Sequence, residues 1–162
     1  MGPVRLRTGP IPWKDARMTV TVPPFDYEAM YAKEPTVWRE KGLHWHCYSW
    51  RGNGKDWGDD KLRHDDQADI TPSMVRGWLR KNPRLIRLTC STPEEAAAWS
   101  MQEWTRARAE ALTPVPDWIT DESQERMALH DLRSGNDLAK GLWVKGPSMV
   151  SWGIIGTSEH CH

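Results

Sequence analysis

Phenylalanine is nearly missing: Phe25 is the single one in 162 residues. Cysteine is scarce too. Cys47, Cys90 and Cys161 are widely spaced, odd in number and form no CxxC pair. That argues against a disulfide framework and points to a reducing, cytoplasmic compartment. Net charge is absent as well, because 22 basic residues balance 22 acidic ones. A whole-molecule field for polyanion binding is thereby disfavoured. Apolar runs extend only a few residues, so no membrane span is expected. The first residues carry basic groups and prolines without an apolar stretch, unlike a secretory leader. GxSxG, the P-loop and GxGxxG are all lacking, which removes three common catalytic and nucleotide-binding signatures. Gly52, Gly54 and Gly58 have the spacing of a turn rather than of a phosphate cradle.

What the chain has instead is tryptophan, eleven of them. They supply the apolar area that a disordered chain lacks. Trp78, Trp104 and Trp152 sit on apolar stripes and read as core. Trp57 lies among Lys55, Asp56 and Asp59, Trp13 lies in a basic tail, and Trp99 falls off the expected apolar face of its helix. Indole gives a large rigid surface with one donor, so tryptophans outside a core point to a binding surface.

At this length the chain is expected to form one domain, burying roughly 70% of its unfolded surface. Residues 1–17 read as a loosely ordered basic tail and residues 18–162 as the domain. Residues 17–22 alternate as a strand, and Tyr27 to Lys33 reads as a short helix. Leu43 to Arg51 is a strong strand. Asn53-Gly54 is a tight-turn signal, with residues 55–57 expected to return as its partner. Residues 59–69, with five Asp, read as a loop. Thr71-Pro72 opens an expected helix to residue 82, with Val75, Trp78 and Leu79 as its stripe. Residues 84–89 read as a strand. Thr92-Pro93-Glu94-Glu95 is a capping box that starts a helix reaching about Leu112. Residues 121–133 form a further helix. Residues 142–144 and 149–155 close the chain as a hairpin around Gly146-Pro147. The order predicts an α+β fold: a largely antiparallel sheet with about three helices packed on one face.

Chemistry concentrates in residues 43–50. On a strand, His44, His46, Tyr48 and Trp50 share one face, while Trp45 and Cys47 share the other. Imidazoles at i and i+2 lie about 6.5–7 Å apart at Cα and can start an acid–base or metal site. In the acid–base version, His44 or His46 is the general base, Tyr48 orients a substrate, and Trp50 and Trp57 bind it. In the metal version, a divalent ion such as zinc uses His44, His46 and the terminal His160 and His162. His64, His130, Cys161 and the Asp59–Asp66 loop are further candidates. The alternative to both is ordinary packing with no cofactor.

Residues 70–82, ITPSMVRGWLRKN, resemble the recognition helix of helix-turn-helix proteins through Ile70, Thr71, Pro72, Ser73, Val75, Arg76, Trp78 and Leu79. The resemblance implies that Ser73 and Arg76 meet base edges while Arg80 and Lys81 meet phosphates. Residues 63–67 lack the apolar positions of a preceding helix, and the neighbouring aspartates oppose DNA. Arg76 and Arg80 can equally answer those aspartates. The leading expectation is therefore an accessory or interaction module that binds a protein or other macromolecular partner, or a second copy of itself, through its Trp-rich surface. A small His-dependent enzyme and a DNA-binding module follow in that order.

Overall fold

A computed structural model describes residue 24 and residues 26–159. The tail 1–17, the expected strand 17–22 and the terminal His160, Cys161 and His162 lie outside the described residues. Four strands form one antiparallel sheet: β1 (His44–Asn53), β2 (Ile86–Cys90), β3 (Leu138–Val144) and β4 (Ser148–Thr157). Their spatial order is β2-β1-β4-β3. The fold is thus α+β, as the element order predicted.

The closing hairpin β3–β4 turns through Gly146, which adopts the positive φ of 84° that glycine tolerates best. β4 is buried along almost its whole length, as expected of a central strand. β1 pairs with β4 from His44 opposite Thr157 to Asn53 opposite Ser148.

One face of the sheet carries the two long helices. In α5 (Pro93–Ala109) the capping box is complete: Thr92 Oγ1 accepts from the Glu95 amide, and the Glu95 carboxylate accepts from the Ser91 and Thr92 amides. α6 (Asp121–Arg133) is capped by Thr120. Trp104 Nε1 and Arg108 both donate to Asp121, joining the two helices. Trp45, Cys47, Trp152 and Ile154 of the sheet pack against Ala96, Ala97, Trp104 and Leu132. Trp99 belongs to this core, contrary to expectation, because the buried face of α5 runs through Ala96, Trp99, Ser100, Glu103 and Ala107.

The other face is covered by short elements between β1 and β2, and here the expected structure is corrected. Residues 55–57 are not a strand. Asn53 accepts from the Asp56 amide and so caps a single helical turn, Gly54–Trp57. The acidic loop contains another turn, Asp60–His64, capped by Asp59. The helix expected over 71–82 is a 3-10 helix restricted to Val75–Arg80, with no side-chain cap. Its tighter period lays Trp78 flat on Tyr48, with parallel rings 5.0 Å apart. Gly77 allows close approach to Pro72, because a Cβ there would lie 2.7 Å from the Pro72 Cβ. Two short helices, Tyr27–Tyr31 and Val37–Glu40, precede β1. Among the described residues the two long helices pack on one face of the sheet, as expected, and only short turns and a 3-10 segment cover the other.

Two cations, buried Lys81 and half-buried Arg63, organise the acidic loop. Lys81 is buried, and its ammonium donates to the Asp65 and Ala68 carbonyls at 2.8 Å each. Burial lowers its pKa, against the pull of Asp66, Asp65 and Asp69. Arg63 donates to the carbonyls of Trp57, Thr71 and Pro72. No helix of the described residues is long and apolar enough to cross a membrane.

Candidate functional site

The alternation of β1 puts His44, His46, Tyr48 and Trp50 on the face away from the long helices. Cys47 lies beneath, against Cys90 at 3.8 Å between sulfurs. That hydrogen bond and burial hold the Cys47 thiol far above its ordinary pKa, so it is no nucleophile. On the opposite face, His44 Nε2 and His46 Nε2 are 3.1 Å apart. His46 is buried and its ring stacks on Tyr48, which in turn stacks on Trp78. Desolvation, with the His44 charge as a smaller cause, lowers the His46 pKa.

A concave feature of this face lies beside that ladder. Trp57, Pro72, Val75 and Trp78 wall a cleft of about 260 Å³, with Arg63, Thr71 and Ser73 at its edge. Its floor is sheet: Ala139 and Gly141 of β3, Ser151 and Gly153 of β4. The register pairs Ala139 with Gly153 and Gly141 with Ser151, so four small residues meet across two strands, and the Met149 side chain, which also lines the cleft, lies over Gly141. The floor ends where Trp78 begins, since a Cβ on Gly153 would sit 3.2 Å from both Trp78 Nε1 and Val75 Cγ2.

Two polar features stand out in the cleft. Ser151 is 4% exposed, and among the described residues its hydroxyl has no hydrogen-bond partner. The Arg63 guanidinium stacks over Trp57 at 4.1 Å and, among the described residues, has no carboxylate within 4.0 Å. Trp50 also stacks on Trp57, at 6.2 Å.

Of the residues singled out in sequence, Trp57 and Ser73 line this cleft, whereas His44, His46, Tyr48 and Trp50 do not. Ser73 Oγ is 3.4 Å from His64 Nδ1, but that nitrogen is already 2.7 Å from the Asp60 carbonyl. A nitrogen that donates to a carbonyl holds its proton, so it cannot take one from Ser73. His64 and His130 stand apart from the His44–His46 pair, His130 packing edge-on against Tyr31. Among the described residues, no three metal-binding side chains cluster.

The recognition-helix residues have other partners. Arg76 pairs with Asp137 at 2.8 Å, Arg80 with Asp66 at 3.1 Å, and Lys81 with carbonyls. The structure contains no helix-turn-helix over residues 59–82, where short turns and a six-residue 3-10 helix stand instead.

Sequence reasoning did not single out Arg63, Gly141, Ser151 and Gly153. The signal was the small-residue spacing Ala139-x-Gly141 and Ser151-x-Gly153 on the closing hairpin, which becomes informative only once the two are known to pair. Comparison with known proteins matched no family model, no curated protein and no solved structure.

Proposed function

We propose that the protein is an interaction module that holds a partner protein by seating one of its side chains in the Trp57–Trp78 cleft. The observation that carries this reading is the cleft's composition: a floor of four small residues and the Met149 side chain under two indole walls. Its volume of about 260 Å³ falls just below the roughly 300–1,000 Å³ of small-molecule sites and suits a single anchoring side chain. Met74, between cleft residues Ser73 and Val75, is exposed. Trp143, on the same face of β3 as Gly141, is partly exposed as well. Both extend the apolar rim over which a partner would lie. Arg63 and Ser151 favour an anchor with an apolar body and a hydrogen-bonding tip. We place this activity in the cytoplasm, a reading supported by the buried, unbridged Cys47 and Cys90.

Capture from a host lysate tests the assignment by comparing wild type with Ala139→Trp. Ala139 is exposed at the cleft floor, so an indole there fills the cleft without entering the core. Proteins retained by wild type should be lost with Ala139→Trp while the melting temperature stays unchanged. Retention of the same proteins by both would overturn the reading.

A further inference from the structure

We propose that His44 and His46 form a two-imidazole clip for one divalent late transition-metal ion, with zinc or cobalt(II) as its chemical class. The site is separate from the Trp57–Trp78 cleft and does not depend on the function proposed for it. The argument begins with direction. Both side chains stand on the same face of β1, and each presents Nε2 toward the other at 3.1 Å. With metal–nitrogen bonds of about 2.0–2.1 Å, nitrogens at that separation subtend roughly 100° at an ion. That angle lies between the octahedral and tetrahedral values, so one ion can replace the proton that the pair otherwise shares.

The second element is rigidity. His46 is buried, and its ring is held through Tyr48 by Trp78, whose own position depends on the missing side chain at Gly153. A ligand held this way loses little freedom when an ion binds. His44 is only partly buried. Thr157 and Ile155 of β4 stand opposite His44 and His46, and Thr89 of β2 flanks His46 on its other side. None of these neighbours carries a charge that would repel a cation. Imidazole suits zinc, cobalt, nickel and copper, while hard calcium and magnesium ions prefer oxygen. Water or an exogenous ligand completes the coordination.

Cobalt(II) titration of the untagged full-length protein, read by its visible ligand-field absorption, tests the clip. One equivalent should bind, zinc should displace it, and His44→Ala should weaken binding by more than about tenfold. Because His46 is buried, His46→Ala is read beside a melting curve. Zinc should raise the melting temperature of wild type and leave that of His44→Ala where it was. A full-length chain combining His160→Ala, Cys161→Ala and His162→Ala separates the strand pair from the terminal ligands. Binding that survives in this chain and fails in His44→Ala supports the clip. Binding lost only in this chain overturns it, as does unchanged affinity in His44→Ala or no binding by wild type.

Discussion

Two serines on either side of Trp152 should respond to the same substitution with opposite signs. Ser151 is buried, and among the described residues its hydroxyl has no partner. A buried hydroxyl without a hydrogen bond costs about 1–3 kcal/mol relative to water. Ser151→Ala removes that cost and leaves the backbone pairing with Trp50 and Gly141 untouched. The variant should gain about 1–2 kcal/mol, which for a chain of this size raises the melting temperature by about 2–8 °C. Ser100, equally buried, accepts the Trp152 Nε1 hydrogen at 3.0 Å. Ser100→Ala leaves that indole donor unpaired in the core and should lose about 1–3 kcal/mol. Urea denaturation with intrinsic fluorescence, supported by calorimetry, measures both. The slope against urea should not change in either variant. A Ser151→Ala protein less stable than wild type would show the hydroxyl to be satisfied and would refute the reasoning. If the cleft binds a polar-tipped anchor, the stabilised variant should also bind its partner less well, the usual opposition between stability and a working site.

Gly153→Ala should destabilise by about 1–3 kcal/mol, because the new methyl would meet Trp78 Nε1 and Val75 Cγ2 at 3.2 Å; thermal unfolding measures it, and an unchanged midpoint would mean that the 3-10 segment moves freely. Lys140 of β3 reaches α6, donating to Gln124 Oε1 at 2.7 Å, and burial lowers its pKa below the ordinary value of 10.5. The unfolded chain therefore binds more protons between the two pKa values, and wild-type stability rises with pH in that window. Lys140→Met should be at least as stable as wild type at pH 7, with its advantage shrinking toward pH 10.5; denaturation curves at pH 7 and 10 check this, and a constant difference would rule out the linkage.

The features legible in sequence are those whose causes lie within a few residues. Thr92 and Glu95 sit three apart, and the capping box they promised is present. Thr120 starts α6 and Gly135 follows its end at a φ of 76°, so its limits were readable. Gly146 marked the closing hairpin. Alternation along β1 separated the histidine face from Cys47 correctly, because the period of two is a property of the backbone. The same local reading failed at residues 55–57. Asn53-Gly54 suits both a hairpin and a helix cap, and β4, almost a hundred residues away in sequence, occupies the edge of β1 that a return strand would need. It failed again at 71–82, where the pull of Trp78 onto Tyr48 and Gly153 outweighed the α-helical propensity of the segment.

Composition and local rules thus settled the α+β class, the two long helices, the hairpin and the two faces of the histidine strand. The cleft was settled only by tertiary structure. Its floor exists because Ala139 and Gly141 lie opposite Gly153 and Ser151, and because β4 in turn lies against β1. Its walls come from a segment some eighty residues earlier in the chain, folded back over the sheet. Register across strands depends on which distant faces bury together, and a single sequence does not state that. The 3.1 Å approach of His44 to His46 mixes both causes: spacing put the rings on one face, and the packing of Tyr48 against Trp78 helped set how the nitrogens meet.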